Sequence, residues 1–513
     1  MADSSAPLRL GTAAGRGTLL AAVLASGMVF LDSTVVNVAL PHLGAELHAS
    51  TSGLQWTLDG YLLTLAAFVL LGGALGDRLG RRRVFLFGVL AFTAASVLCG
   101  AAQSVEWLVA ARFLQGLGGA LLTPGSLALL QSSFHPDDRG RTIGAWSGLA
   151  GVSTALGPFL GGWLIDALSW RWIFFINLPF AVVVILVALR WTPESRADTA
   201  QRSRFDVSGS LLGALGLAGI TYALVEAPQL GAGAWQVVGA ALLGVAAAVA
   251  FVLLERHRNA AAMLPPALFA SRLFRVLNVY TLLVYAALTG FTFFFSVYLQ
   301  NVVGYSALKT GLATLPLTIL LLVGSARAGA LASRIGPRLP LTIGPVLAAG
   351  GLLLLHGIDR GASYWVAILP GMTLFGLGLT MVVAPLTASV LAAAADRFAG
   401  AASGLNNAAS RVGGLLAVSG LPLLVGLSGA GYRMPGELTS AYRAAVLWCA
   451  GLLVAGAALA GVLVQRPGRE PRPSRPCPSL PPPPTHQYED GSDPHRAAAG
   501  RGPEPGRGAG RPG

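Results

Sequence analysis

Of 513 residues, 54% are apolar and 11% are Asp, Glu, Lys or Arg, with a net charge of +13 and a mean hydropathy of +0.66. Soluble domains carry about 25% charged residues, so an ordinary soluble enzyme is excluded. A disordered chain, which needs low hydropathy, is excluded by the same figures.

Long uncharged apolar stretches recur along the chain, each near the roughly 20 residues that cross a bilayer. They read as a polytopic, all-α membrane protein. After an N-terminal tail (1–17), helical spans are expected at about 18–41, 54–76, 84–103, 107–130, 142–165 and 171–191. A pair follows at about 207–227 and 236–254. Six more lie at about 274–299, 310–331, 339–357, 364–391, 405–427 and 441–464. The domain reading is a first six-helix bundle (18–191), an inserted pair (207–254) and a second bundle (274–464). Residues 466–513 hold 13 of the 31 prolines amid Gly and Arg, and are expected to form a disordered tail.

Basic residues set the orientation. With loops assigned alternately from a cytoplasmic N-terminus, eighteen arginines fall inside, against Arg171, Lys309, Arg360, Arg433 and Arg443 outside. This bias places both termini in the cytoplasm. The same scatter over short loops argues against a nucleic-acid partner. Of the 35 basic residues only Lys309 is a lysine, which suggests a GC-rich bacterial genome. Cys99, Cys449 and Cys477 are far apart, so neither a disulfide framework nor a zinc site is expected.

The chain also repeats itself. Gly73-Ala-Leu-Gly-Asp77-Arg78-Leu-Gly80-Arg81-Arg82-Arg83 follows the second span, and Gly329-Ala-Leu-Ala-Ser333-Arg334-Ile-Gly336-Pro337-Arg338 follows the tenth. A looser echo pairs Gln115-Gly-Leu-Gly118 with Phe375-Gly-Leu-Gly378. Two homologous bundles around a site at the membrane midplane are the architecture of secondary transporters.

At these residues the chain resembles the major facilitator superfamily (MFS). The loop G-x-x-x-D-R-x-G-R-R, with Gly73, Asp77, Arg78, Gly80, Arg81 and Arg82, is similar to that family's signature. Leu31-Asp32-Ser-Thr34-Val-Val-Asn37-Val-Ala39-Leu40-Pro41 resembles a motif of its fourteen-span drug:proton antiporters. Arg112-Phe-Leu-Gln115-Gly116 and Gly157-Pro158-Phe-Leu-Gly161-Gly162 resemble two further motifs, the last associated with export. Ser333 departs from the repeat, standing where the first copy has Asp77. The resemblance implies the MFS fold with two extra central helices, no cofactor, and proton-coupled export of a drug or antibiotic-like molecule across the cytoplasmic membrane by a monomer. Proton-coupled uptake of a small nutrient is the alternative. It also implies that Arg112 takes part in proton coupling.

The residues themselves support specific roles. Asp32 lies mid-span, where a carboxylate is costly and functional. Desolvation disfavours its charged form and suits it to proton exchange. The alternative is an Asp that bonds Thr34 or Asn37 and merely orders its helix. Arg112 stays charged and needs an anionic or carbonyl partner; whether that is Asp32 is not legible in the sequence. Gly157, Pro158, Gly161 and Gly162 give a nearly side-chain-free face suited to a moving seam between bundles. Asp77 and its arginines suit a latch between bundles, or simple retention of the loop inside. Substrate-cavity candidates are Asn37, Gln115, Tyr280, Tyr285, Phe294 and Arg411, with packing as the alternative for each aromatic ring. Asp59 and Glu226 fall near outer helix ends and read as solvated. No G-x-x-x-x-G-K-[ST] loop, metal-ligand motif or nucleophile motif occurs, so neither ATP-driven transport nor an enzyme is expected.

Overall fold

The computed structural model describes residues 7–196, 206–258, 266–394, 399–427, 431–432 and 434–464. The chain divides into two units, 1–466 and 467–513. The second, and with it the expected disordered tail, lies outside the described residues.

Among the described residues of the first unit, sixteen α-helices form: α1 (Ala13–Glu46), α2 (Thr51–Leu79), α3 (Arg81–Gly100), α4 (Val105–Ser133), α5 (Pro136–Ala167), α6 (Trp172–Phe175), α7 (Asn177–Trp191), α8 (Val207–Leu230) and α9 (Trp235–Arg258). The series continues with α10 (Arg272–Tyr298), α11 (Ala307–Ala313), α12 (Leu315–Ile335), α13 (Arg338–Leu355), α14 (Leu369–Ala392), α15 (Ala399–Leu424) and α16 (Pro435–Leu463). Their starts follow the sequence. Thr12, Ser50, Ser104, Asp206, Ser271 and Ser306 each accept a hydrogen bond from a backbone N–H in the first turn, satisfying a donor the helix leaves open. Prolines 41, 124, 158, 228, 345, 385 and 422 lie inside helices, as membrane bundles tolerate.

Among the described residues, twelve helical segments are long and apolar enough to cross a membrane. The expected spans at 142–165 and 405–427 fall on α5 and α15, which are helical over 32 and 26 residues but outside those twelve. The outer surface is apolar, with Leu186, Leu242 and Val462 more than 60% exposed.

The sequence repeat is a structural repeat. α2 ends at Gly80 (φ 115°) and α12 at Gly336 (φ 85°), each donating its N–H to the carbonyl four residues back; α3 starts at the next residue and α13 after one more, Pro337. Both backbones sit at positive φ, where L side chains are strained, which explains the shared glycine. Gly118 of α4 lies against Phe92 of α3, and Gly378 of α14 against Ala348 of α13. The same neighbours pair in each half. α8 and α9 form a hairpin whose inner face packs Ala223, Ala227 and Val237 near Leu423 of α15.

The halves meet along α2 and α15, from Leu70 against Gly404 to Gln55, and hydrogen bonds cross between them at the Gln55 end. Gln55 of α2 donates to the carbonyl of Val418 on α15 (2.9 Å), and Gln300, just past α10, donates to the carbonyl of Val38 on α1 (2.9 Å). Asp166 of α5 accepts from the N–H groups of Ala307 and Leu308 at the start of α11 (3.2 and 3.0 Å).

Candidate proton-coupling site

Asp32 and Arg112 are in contact. α1 and α4 carry them to a common point where both are 0% exposed, and Arg112 Nη1 lies 2.5 Å from Asp32 Oδ2. Gln115, one turn along α4 from Arg112, completes the cluster. It donates from Nε2 to Asp32 Oδ1 (2.8 Å) and accepts from Arg112 Nη1 at Oε1 (2.7 Å). The three side chains close a ring of hydrogen bonds. The local alternative, in which Asp32 bonds Thr34 or Asn37, is not what forms: Thr34 Oγ1 donates to the Leu31 carbonyl and Asn37 Nδ2 to the Ser33 carbonyl (3.0 and 3.4 Å).

The surroundings supply part of the guanidinium, while Nη2 is buried with no hydrogen-bond partner among the described residues. Arg112 Nε donates to the Thr57 carbonyl on α2 (2.9 Å), and its Cζ stands 4.2 Å from the Tyr61 ring centroid, within cation–π range. Ser96 and Asn177 extend the network from α3 and α7. Gln115 Nε2 and Asn177 Nδ2 both donate to Ser96 Oγ (3.2 and 2.9 Å), which donates to the Phe174 carbonyl (2.9 Å). Sequence reading missed Thr57, Tyr61, Ser96 and Asn177, since a serine or an asparagine facing into a bundle has no distinctive local pattern.

The cavity candidates divide. Arg411 of α15 is half-buried and its Cζ stands 5.7 Å from the ring centroid of Phe30 on α1, two residues before Asp32. Tyr285 of α10 lies within electrostatic reach of Arg411. Asn37 is buried with Oδ1 unpartnered among the described residues. Arg411 and Tyr285 of the second half thus stand beside α1 of the first. Tyr280, Phe294 and Gln115 do not join them. Tyr280 is 0% exposed and donates its hydroxyl to the Leu341 carbonyl (2.8 Å), binding α10 to α13. Phe294 is buried edge-on against Phe293 (5.3 Å between ring centroids). Gln115 is fully committed to the charge cluster. For these aromatic rings packing is the role, because one face of α10 turns into its own half.

The helix-five glycines also divide. A Cβ at Gly157 or Gly161 would run into Thr34 or Val35 of α1, within the first half. A Cβ at Gly162 would strike the Ala307 carbonyl, and one at Gly311 the Pro158 carbonyl. Pro158 and Gly162 therefore form the seam with α11, and Gly157 and Gly161 do not. Both faces follow from one spacing, since adjacent helix positions point about 100° apart.

The signature loop is tied within its own half. Asp77 Oδ1 accepts from Arg81 Nε and Nη2 (3.0 and 2.8 Å). Arg82 Nη1 donates to the Thr192 carbonyl (3.0 Å), and Arg82 N donates to Glu194 Oε1 (3.1 Å). Glu194, beyond α7, was not picked out from sequence. It sits against Gly80, where a Cβ would come within 2.7 Å of its Oε1. Gly73 has room to spare, its nearest neighbour being Pro124 Cβ at 3.6 Å. A latch from Asp77, Arg81 or Arg82 to the second half, expected from charge alone, is absent among the described residues, because nearer partners take these groups.

Asp59, expected to be solvated, is 0% exposed. Glu226 accepts from Trp56 Nε1 (2.9 Å), joining α8 to α2.

Residues 22–418 match the family model for the Major Facilitator Superfamily. The chain belongs to that superfamily. It is 38% identical over 408 residues to the tetracenomycin C resistance and export protein of Streptomyces glaucescens, covering 80% of this chain and 75% of that one. It is 37% identical over 464 residues to the puromycin resistance protein pur8 of Streptomyces alboniger, covering 88% and 91%. Among solved structures, a peptide transporter POT in complex with sulfate shares the fold (TM-score 0.63, 16% identity, 90% of this chain and 98% of that chain). So does an inward-facing bacterial homologue of the human lysosomal transporter Spinster (TM-score 0.61, 19% identity, 88% and 97%). This MFS protein is thus an all-helical, multi-pass membrane transporter.

Proposed function

We propose that this MFS protein exports a drug or antibiotic-like small molecule in exchange for protons by alternating access, as a monomer with fourteen crossings and both termini in the cytoplasm of a bacterium. The observation that carries the reading is the sealed Asp32–Arg112–Gln115 ring. Protonating Asp32 removes the negative charge that balances Arg112, while the Gln115 and Thr57 oxygens still accept from the guanidinium. Neutralising Asp32 strands the buried Arg112 charge, so in this proposal proton binding forces the cluster to rearrange, and that rearrangement is the coupling step. Phe30, two residues from Asp32, meets Arg411 of the other half, so a shift of α1 reaches the region where substrate would lie. No cofactor is needed: one charge crossing about 150 mV supplies ~3.5 kcal/mol. That is a gradient of several hundred-fold, at about 1.4 kcal/mol per decade. Efflux is favoured over uptake by the helix-five motif and by relatives whose names record resistance and export.

The test uses inside-out vesicles with an acidic lumen. Accumulation of a fluorescent cationic or neutral drug that collapses with the pH gradient is expected. Accumulation that ignores the gradient refutes proton coupling, and substrate movement only in the opposite direction refutes export.

A further inference from the structure

A second carboxyl lies buried in the first half, away from the Asp32 cluster. Asp59 shares a face of α2 with Gln55, one turn earlier, and that face meets α15 through the Gln55–Val418 bond. Asp59 is 0% exposed, and neither of its oxygens has a hydrogen-bond partner among the described residues. An ionised carboxylate so placed is paired or it neutralises, since nothing offsets the loss of its hydration.

Among the described residues, charged side chains on the neighbouring elements α4 and α8 and at the end of α1 are engaged elsewhere. Arg112 of α4 bonds the Thr57 carbonyl and is paired with Asp32. Glu226 of α8 holds Trp56. Glu46, at the end of α1, takes Arg171 and Trp170. From the second half comes Tyr432, between α15 and α16, which is 6% exposed, has no partner for its hydroxyl among the described residues, and lies within electrostatic reach of Asp59. Its backbone carbonyl accepts from Asn301 (3.3 Å) and its ring meets Phe293. Asp59 is thus enclosed by the contact between the halves.

We propose that Asp59 is a second proton-binding site, neutral while the halves are joined at this end and ionised when they part and water reaches it. Joining the halves then takes up a proton from the solution on that side, which is the outside under the orientation proposed above. The direction of that uptake rests on the proposed function; the protonation itself does not.

The test places a pair of spin labels across the joined end at Gln103→Cys and Lys309→Cys, both exposed positions, with Cys477→Ser, in lipid nanodiscs. In the parent protein the ratio of short-distance to long-distance populations should fall as pH rises, approaching tenfold per pH unit for one proton. Asp59→Asn, neutral throughout, should stay in the short-distance state, and Asp59→Glu should restore the pH dependence. Infrared spectroscopy supplies a second reading, a protonated-carboxyl band that shifts in Asp59→Glu and vanishes with opening, and this serves if Asp59→Asn does not fold. A pH profile in Asp59→Asn equal to the parent's, no pH dependence in the parent, or no such band overturns the inference. Failure of gradient-driven export with the Asp59 titration intact overturns only the proposed function.

Discussion

Asp32 and Arg112 hold each other in place, so each is expected to matter beyond its own charge. Removing one member of a buried pair strands the other and costs about 3–5 kcal/mol. Asp32→Asn should therefore bring pH-gradient-driven accumulation to background and lower the thermal midpoint in detergent, while insertion into the membrane persists. Adding Arg112→Gln to Asp32→Asn should recover most of the lost thermal stability without recovering transport. Additive losses in the double mutant would show that the contact contributes no coupling energy. The carboxylate was legible from sequence because an acid inside an apolar run stands out. Its partners were less so: Gln115 was read as a substrate-cavity candidate and not as a partner of Asp32, and the Thr57 carbonyl is a backbone group that no sequence pattern reports.

At the scale of elements, one helix serves two contacts. Gly162→Leu should drive α5 off the start of α11, so turnover should fall steeply while substrate affinity stays within about tenfold, the signature of a blocked movement rather than lost binding. Gly161→Leu should press on Val35 inside the first half, and its effect should appear as reduced thermal stability and expression. Fluorescent-substrate binding beside vesicle transport distinguishes them; normal turnover in Gly162→Leu would remove α5 from the seam. The inserted hairpin gives a pH prediction. Asp206 caps α8 through Gly209 N (2.7 Å) and pairs with Arg258 at the end of α9. Burial raises its pKa, but the Arg258 and Gly209 bonds outweigh this and hold the carboxyl down at about 2. A pKa depressed by folding adds stability that is complete above the unfolded value of about 3.9 and is lost as pH falls toward 2. Hydrogen-exchange protection factors at 207–212 should hold down to about pH 4 and fall below it, and Asp206→Asn should show lower protection already at neutral pH.

For the whole molecule, the repeat frame and the Pro-rich end make separate statements. The two glycine-terminated helices, α2 and α12, show that the halves share a plan down to backbone conformation. Deleting residues 468–513 should leave vesicle transport at the parent's rate at matched expression, since a Pro, Gly and Arg-rich stretch has little apolar surface to bury. Complete loss of transport would assign the tail a working role.

Composition, hydropathy and four motifs in order determined the class of this protein: an all-helical membrane transporter of the MFS. Each of those signals is local, since spans, caps and turn glycines are set by neighbours within a few residues. Tertiary structure decided what depends on where helix faces point. It joined Asp32 to Arg112 across 80 residues, sent Tyr280 and Phe294 into packing, turned Gly161 to α1 and Gly162 to α11, and buried Asp59, which proximity to a helix end had suggested was wet. A rotation of about 100° per residue makes neighbouring positions face different partners, and only the packed bundle fixes which partner each one meets.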